Sequence, residues 1–340
     1  MTKREDKILL SHGNGGRMMH DLIENLFLKY FDNEILRQQT DAAILPVEGT
    51  KIAFTTDSFV IDPIFFPGGN IGKLAVCGTV NDLAVSGAIP RYISVSMILE
   101  EGFPMQDLET IVQSIAAEAR LAGVSVVTGD TKVVNKGKCD KIFINTAGVG
   151  MIHPCGSQVA LGRNIVTGDV IMINGTIGDH GMAVMNAREN FNFRSHVESD
   201  CASLNHLVCD ILDHSTGVKF MRDPTRGGVA TVLNELAAKI KLGISIHEET
   251  IPVSKDVGAI CEILGFDPLH IANEGKVLIV AGAEESHKIM EIMKSHPLGK
   301  DCAVIGQVVA EHPGKVVLNT GTGSRRIIDS LTGDPLPRIC

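Results

Sequence analysis

Four aspartates in the first half of the chain have the surroundings of a site for hard cations. Asp41, Asp57, Asp82 and Asp130 each stand where a predicted strand or helix meets a loop, among hydroxyl or amide side chains. Mg²⁺ binds carboxylates, water and substrate phosphates, so the set predicts magnesium holding a phosphorylated substrate. Taken singly, each aspartate is better explained as a helix cap or a turn residue. Asp82 is the exception, because an acidic side chain inside an otherwise apolar helix is costly without a partner.

Two glycine-containing segments could approach phosphate groups through their backbone amides. Ser11-His12-Gly13-Asn14-Gly15-Gly16 precedes a predicted helix, whose N-terminus favours negative charge. It lacks the Gly-Lys-Ser/Thr ending of a Walker A motif, and by itself it is better explained as a flexible loop. Asp223-Pro224-Thr225-Arg226-Gly227-Gly228 is more specific, because it places an arginine and two glycines before a strong helix. We interpret it as a phosphate clamp, with a plain capped turn as the alternative.

Glu274 and Lys132 are the candidates for proton transfer. Glu274 lies in Asn273-Glu274-Gly275-Lys276, just before an apolar strand, and Lys132 follows Asp130 by two residues. Each residue is consistent with a catalytic group or with a solvated turn, and the local sequence does not choose between them.

Cys340 is the last residue of the sequence and closes the segment Pro335-Leu336-Pro337-Arg338-Ile339-Cys340. The prolines favour an extended backbone, and six extended residues reach roughly 20 Å, far enough to carry a thiol between a site and a partner. A frayed terminus is the simpler alternative. Arg338 would favour ionisation of the thiol, and a terminal carboxylate would oppose it. The other cysteines form no CxxC pair, and most of them are expected to be buried and inert.

The elements that must position these residues divide into two groups. The 340 residues are too many for one ordinary core, and the hydrophobic content of 44% supports a globular fold. Helices are predicted over 73–86, 106–121 and 227–241, and a buried strand over 124–128. We expect an α+β protein with domains at 1–153 and 154–333 and a tail from 334.

Charge and composition exclude several classes of partner. The net charge is −9 and no block of lysine or arginine occurs, which argues against nucleic acid and anionic membranes. The first residues are too polar for a signal peptide, and no apolar run reaches transmembrane length, so a cytoplasmic protein is expected.

Taken in order, these segments resemble the ATP-dependent superfamily of aminoimidazole ribonucleotide synthetase, selenophosphate synthetase and thiamine-monophosphate kinase. The marks are Asp41-Ala42-Ala43, Thr56-Asp57, Asn81-Asp82-Leu83-Ala84, Gly129-Asp130-Thr131 and Asp223-Pro224-Thr225-Arg226-Gly227-Gly228. Within it, the glycine-rich start and the Pro-Arg-Ile-Cys end resemble the HypE family of [NiFe]-hydrogenase maturation factors, which are carbamoyl dehydratases. The resemblance covers essentially the whole chain and implies a two-domain PurM-like ATP-binding fold whose N-terminal domain pairs in a homodimer.

The resemblance also implies a reaction. A partner, the carbamoyltransferase HypF, delivers a carbamoyl group to Cys340. ATP phosphorylates the resulting thiocarboxamide, and loss of phosphate leaves a thiocyanate. The cyanide then passes to iron on the HypC–HypD complex.

The site residues that the resemblance implies fall into three groups. The metal ligands would be Asp41, Asp57, Asp82 and Asp130. Cys340 would carry the substrate, with Glu274 and Lys132 moving protons. The nucleotide would contact a set of glycine, amide, hydroxyl and arginine residues: Gly13, Gly15, Gly16, Asn81, Thr131, Arg226, Gly227 and Gly228.

Two other functions remain open at the level of sequence. One is a small-molecule synthetase or kinase of the same fold, which would tolerate loss of the Cys340 thiol. The other is a non-catalytic carrier, in which ATP only controls the position of the tail.

Overall fold

The computed structural model describes residues 16–28, 34–47, 50–189, 196–330 and 338–340. The helices are α1 Arg17–Leu22, continued by a π-helical turn Ile23–Phe27, α2 Ile71–Val85, α3 Met105–Ala122, α4 Asp179–Glu189, α5 Asn205–His214, α6 Gly228–Ile240, α7 Lys255–Leu264 and α8 Ala283–Ser295. The strands are β1 Ala43–Val47, β2 Thr50–Phe59, β3 Phe65–Phe66, β4 Gly69–Asn70, β5 Ala88–Glu100, β6 Ser125–Val134, β7 Ile142–Ile152, β8 Val170–Ile173, β9 Val218–Arg222, β10 Gly243–His247, β11 Leu278–Ala281, β12 Ala303–Val309, β13 Val316–Asn319 and β14 Arg325–Ile328.

The first domain is a five-stranded mixed sheet with helices α2 and α3 against one face. Its strand order is β1-β2-β7-β5-β6, antiparallel except for the parallel pair β5–β6. Strand β2 alternates, with Ala53, Thr55 and Phe59 buried toward the helices. Helix α2 is buried nearly all round and is capped at its start by Asn70, whose side-chain oxygen accepts from the amides of Gly72 and Lys73. The alternation on β2 therefore decides which of its polar side chains face α2.

Strand β6 corrects the expectation of a buried strand at 124–128. Val124 is buried, but β6 itself runs over Ser125–Val134 at the edge of the sheet and its residues are exposed. The apolar residues Val126, Val127 and Val133 made the segment look like core, yet sheet order places them at an edge. An apolar run predicts a strand without predicting what covers it.

The second domain is a seven-stranded mixed sheet with helices on both faces. Its strand order is β14-β13-β10-β12-β8-β11-β9. On β8, Ile171 and Ile173 pack in the cluster that holds the apolar face of α6, whereas Met172 packs with α5 and α8. The short strand is therefore apolar at every position because both of its faces are covered.

Apolar contacts join the two domains. Ala84 and Val85 of α2 share a cluster with α5, and Met182 of α4 and Ile260 of α7 pack in the core of the first domain. Ile339 lies in that same core cluster and is 4% exposed. The two-domain α+β fold predicted from the sequence is confirmed, while the domain limits at 153 and 333 stay predictions. Within the described residues, no helix is long and apolar enough to span a bilayer.

Candidate active site at the junction of the domains

A cavity of about 560 Å³ is lined by residues of both domains, six of which are site residues predicted from the sequence. Its walls include Asp41, Asp57 and Asp82 from the first domain, and Arg226 and Glu274 from the second. Cys340 also lines it. The segments that supply these residues are up to 299 positions apart in the chain, and the fold brings them to one place.

The carboxylates in the cavity raise one another's pKa values. Burial, followed by the charges of Asp57, Asp223 and Asp41, holds the pKa of Asp82 well above its usual range. Burial and Asp41 also raise the pKa of Asp57, although Arg226 opposes the shift. Thr55 donates to Asp82 Oδ2 at 2.8 Å, which supplies the partner that an acidic residue in α2 requires. Clustered acids of this kind are stabilised by a bound cation, because the cation removes their mutual repulsion.

Asp41, in the first domain, is held by an arginine of the second domain. Arg222 of β9 donates from Nε to Asp41 at 3.0 Å and from Nη1 to Glu235 at 2.6 Å. Glu235 in turn lies 2.9 Å from His20, and the side-chain hydrogen bond to this carboxylate raises the pKa of that histidine. This network fixes one wall of the cavity.

Arg226 is the cation that faces Cys340. The negative charge of Cys340 is the largest contribution raising the pKa of Arg226, and Asp57, Glu274 and Asp82 contribute in the same direction, while burial opposes it. The sequence had assigned the role of promoting thiolate formation to Arg338. In the structure, however, the Arg338 guanidinium is engaged by the Asp140 carboxylate and by the carbonyl oxygen of Val60.

The last three residues are bound between the domains. From the first domain, the backbone amide of Val60 donates to the carbonyl oxygen of Cys340 at 3.1 Å. The backbone amide of Asp62 donates to the carbonyl oxygen of Arg338 at 3.2 Å. From the second, Arg188 donates to the Arg338 carbonyl at 2.7 Å. The thiol-bearing residue therefore reaches the cavity, as the carrier interpretation requires, whereas Pro335 and Pro337 lie outside the described residues.

Glu274 is buried rather than solvated, which removes one of its two sequence interpretations. The side chain is 3% exposed, and its Oε1 has no hydrogen-bond partner. Burial raises its pKa well above the ordinary value, and the charges of Cys201, Asp223 and Asp200 add to the effect. A buried carboxyl oxygen without a partner is costly unless a ligand completes it.

Asn81 lies behind the cavity and positions the backbone beside Glu274. Its Nδ2 donates to the carbonyls of Ala202 and Glu274 at 3.0 and 3.2 Å, and its Oδ1 accepts from the amide of Leu204 at 2.8 Å. The amide group predicted to contact nucleotide is thus fully engaged with protein backbone.

Asp130, Thr131 and Lys132 lie on edge strand β6, away from the cavity of the same chain. Cross-strand pairing aligns Ser58, Asn145, Ser96 and Asp130 in one row, so Asp130 stands three strand spacings from β2, about 14 Å along the sheet. The side chains of Asp130 and Lys132 are 59% and 71% exposed.

Asp130 also points to the other side of the sheet from Asp57. A Cβ built on Gly78 of α2 would lie 3.3 Å from Asp57 Oδ2, so Asp57 faces the helices. Side chains alternate along a strand, so the row through Ser58 and Asp130 faces the opposite, open side. A single cation cannot contact both aspartates of one chain, because ligand distances to Mg²⁺ are about 2 Å.

The glycines predicted to contact phosphate lie in two places, at the start of α6 and near the N-terminus. Gly227 and Gly228 open α6 with φ of 75° and 61°. A Cβ on Gly228 would lie 2.5 Å from the carbonyl oxygen of Leu269, so close packing of α6 requires glycine there. Gly16 is buried just before α1, and Gly13 and Gly15 lie outside the described residues.

The donor set in the cavity fits magnesium bound together with phosphate. Among the described residues, no cluster of three or more His, Cys, Asp or Glu is arranged to hold a metal ion unaided. Mg²⁺ ordinarily uses one or two carboxylates together with waters and substrate phosphates. The mutually repelling Asp57 and Asp82, with Arg226 opposite, are suited to that mode of binding.

Three participants were not singled out by sequence reasoning. Asp223 lines the cavity, and burial together with Asp41 raises its pKa to about 8. His180 donates from Nε2 to the carbonyl of Ile339 at 2.7 Å. Asp200 accepts from the amides of Glu274 and Gly275, both at 3.1 Å. Asp223 stood in a motif already noted and was recognisable, whereas the other two act through backbone contacts that leave no local pattern.

Comparison with known proteins identifies the family of both domains. Residues 39–152 match the family "AIR synthase related protein, N-terminal domain", and residues 166–319 match its C-terminal domain. The carbamoyl dehydratase HypE of Rhizobium leguminosarum bv. viciae is 49% identical over 335 residues, covering 98% of this chain and 95% of that protein.

Two solved structures are similar over nearly their full length. A HypE–HypF complex contains a chain with 50% identity and a TM-score of 0.86, covering 91% of this chain and 99% of that one. A HypE in complex with ATP has 45% identity and a TM-score of 0.82, covering 98% and 100%. The chain therefore belongs to the AIR synthase-related proteins and, within them, to the HypE family of carbamoyl dehydratases.

Proposed function

We propose that this chain is an ATP-dependent carbamoyl dehydratase that converts a thiocarboxamide on Cys340 into a thiocyanate. The observation that carries the proposal is the presence of Cys340, Glu274, Arg226 and the aspartates in one cavity. The HypE solved with ATP supports a nucleotide as the second substrate. A small-molecule kinase would not need to bind its own Cys340 in the site.

The overall reaction removes the elements of one water from the thiocarboxamide and converts ATP to ADP and phosphate. The carboxamide oxygen of Cys–S–C(=O)–NH₂ attacks the γ-phosphorus of ATP and ADP leaves. Loss of one proton from the nitrogen gives a phosphorylated imidate. The C–O bond then breaks, phosphate leaves with that oxygen, and the nitrogen loses its remaining proton. The products are Cys–S–C≡N, ADP, phosphate and one proton. Phosphorylation turns a poor leaving group into a good one.

Glu274 is the base that removes protons from the nitrogen. Its unpartnered Oε1 is buried in the same cavity as Cys340, and its raised pKa makes the carboxylate a stronger base. Burial also excludes water that would hydrolyse the phosphorylated intermediate.

Asp41, Asp57 and Asp82 would hold Mg²⁺ on the triphosphate, and the cation would neutralise charge on the transferring phosphoryl group. Arg226, which belongs to the second domain, pairs with the phosphate oxygens of the nucleotide. Arg226 also interacts electrostatically with Cys340, whose negative charge raises the pKa of the guanidinium.

The proposal includes a homodimer through the first domain. Strand β6 is an edge strand with exposed residues, and Tyr92 and Ile98 on β5 are 54% and 44% exposed. Exposed strand edges and apolar sheet faces are the features that pairing with a second copy covers. Asp130 and Lys132 would then act in the cavity of the other subunit, which accounts for their distance from their own.

The partners follow from the chemistry and from the relatives. The HypE–HypF complex supports HypF as the source of the carbamoyl group. A thiocyanate on Cys340 is a cyanide donor, and the recipient would be the iron of the HypC–HypD complex in the cytoplasm.

Single-turnover mass spectrometry tests the proposal. Carbamoylated protein mixed with Mg-ATP should lose the equivalent of one water, about 18 Da, from the peptide that ends at Cys340. Glu274→Gln should slow the loss at least 100-fold, within the usual range for general base catalysis. An unchanged peptide mass in the wild-type protein would exclude a dehydratase, and turnover of a free substrate by Cys340→Ala would favour a kinase or synthetase.

A further inference from the structure

His180 contacts the backbone of the last three residues at the centre of the bound segment. Its Nε2 donates to the carbonyl oxygen of Ile339 at 2.7 Å, one residue before the cysteine. The imidazole is fully buried, and the ring of Phe66 packs against it edge-on at 5.5 Å. The ring therefore has one orientation, with its donor directed at the chain that carries the substrate.

The Ile339 carbonyl fixes which nitrogen of His180 carries the proton, and Ser199 satisfies the other nitrogen. The amide of Cys201 donates to Ser199 Oγ at 3.1 Å, and that hydroxyl lies 2.7 Å from His180 Nδ1. The hydroxyl donates to Nδ1, because Nε2 must keep its proton to bind the Ile339 carbonyl. Burial lowers the pKa of His180, which keeps the ring neutral and in this tautomer, although the charge of Asp200 acts in the opposite direction.

The loop that supports His180 also supports the catalytic base. Asp200, next to Ser199, accepts from the amides of Glu274 and Gly275 and is paired with Lys276 at 2.9 Å. The loop of residues 199–201 thus binds the segment that contains Glu274 directly. It is also linked, through His180, to the segment that contains Cys340.

We propose that His180 is a positioning residue that, with Ser199, binds the Ile339 carbonyl and aligns Cys340 with Glu274. The alignment rests on the proposed dehydratase function, whereas the binding of the last three residues does not. His180 touches no reacting atom; it acts through the peptide that carries them.

Hydrogen exchange measures the binding without any turnover. The amides of Val60 and Asp62 donate to the carbonyls of Cys340 and Arg338, so their protection from exchange reports the bound state. His180→Ala should raise their exchange rates about tenfold, the effect expected for losing one buried hydrogen bond. The amide of Ile71, which donates to Ile64 in the same domain, should be unchanged.

Three further variants separate positioning from general destabilisation. His180→Gln keeps a donor for the Ile339 carbonyl and should restore most of the protection of Val60 and Asp62. Ser199→Ala leaves the His180 imidazole in place and should lose part of that protection. His153→Ala is the matched control, because His153 is also buried and bonded, to Asp213 at 3.0 Å. It should leave Val60 and Asp62 protected.

The second measurement is the rate of dehydration on Cys340. His180→Ala should slow it about tenfold, in step with the loss of protection, while ATP affinity stays at the wild-type value. Wild-type exchange at Val60 and Asp62 in His180→Ala would overturn the proposal, as would lost protection with an unchanged dehydration rate. If the wild-type protein shows no dehydration, the proposed function fails, and the exchange data still decide whether His180 holds the segment.

Discussion

Asn81 and Glu274 are joined across the domain junction, with the Asn81 side-chain nitrogen 3.2 Å from the Glu274 carbonyl oxygen. Asn81 lies in α2 of the first domain, and Glu274 precedes β11 of the second. The same amide also binds Ala202 and Leu204. The packing of the two domains against each other therefore fixes the backbone of Glu274.

Replacing Asn81 tests whether this amide positions Glu274 or binds nucleotide. Asn81→Ala should cost about 1–3 kcal/mol of stability, because buried backbone groups of Leu204 and Ala202 lose their partner. Dehydration should slow about tenfold or more, while the Kd for ATP stays near wild type. Calorimetry of ATP binding provides the check, and a large loss of ATP affinity would favour the nucleotide-binding role predicted from sequence.

Asp223 makes the protein less stable as pH rises. Its pKa is about 8 in the fold against an ordinary value of 3.8, so between these values the folded state retains a proton that the unfolded chain has released. The free energy of unfolding must then fall from about pH 4 to about pH 8. Asp223→Asn should therefore raise the Tm more at pH 8 than at pH 5, by a few degrees, without Mg²⁺ or ATP.

A matched control for this pH dependence is Asp210→Asn, at an exposed position on α5. It should leave the dependence of Tm on pH unchanged. If Tm depends on pH in the same way in the wild type and in Asp223→Asn, the pKa of the buried Asp223 carboxyl is not raised in the folded protein.

Gly275 allows the 199–201 loop to approach the segment of Glu274. A Cβ at this position would lie 1.9 Å from the carbonyl oxygen of Asp200, which no small adjustment relieves. Gly275→Ala should destabilise the second domain by about 2 kcal/mol or more and displace Glu274. Gly258→Ala in α7 is the control, because its Cβ meets only a Val253 methyl at 3.9 Å and should stabilise the helix by about 0.5–1 kcal/mol. Thermal melts and single-turnover rates report both effects.

Mixing two inactive variants tests whether sites are shared between subunits. In a dimer of Lys132→Ala with Glu274→Gln, one cavity would combine a wild-type Glu274 with Lys132 of the partner subunit. Random mixing gives half mixed dimers with one complete site each, so about a quarter of wild-type activity should return. If activity stays at the sum of the separate variants, Lys132 does not act across the interface.

The sequence predicted best what depends on local pattern. Helix α6, with its apolar face, follows from periodicity. Asp57 near the end of β2 and Asp82 in α2 follow from composition near loops. The family resemblance supplied the order in which these segments meet. The prediction of a two-domain fold needed little more than chain length and the alternation of elements.

What the sequence could not predict depends on residues far apart in the chain. Glu274 was equally consistent with a solvated turn, because its burial is produced by Asn81 and by residues 200–204. The edge position of β6 follows from sheet order, which an apolar run does not encode. His180 resembled an ordinary core histidine, since its role is a single contact with a residue 159 positions later.

The burial of Ile339 makes release of the cargo an uphill step. Withdrawal of Cys340 from the cavity must also expose Ile339, whose removal from an apolar core costs roughly 1.5–3 kcal/mol. An acceptor that offers this side chain an equivalent apolar pocket cancels that cost, whereas bulk water does not. Under the proposed function, a thiocyanate on Cys340 would therefore stay in the cavity until a recipient with such a pocket is bound.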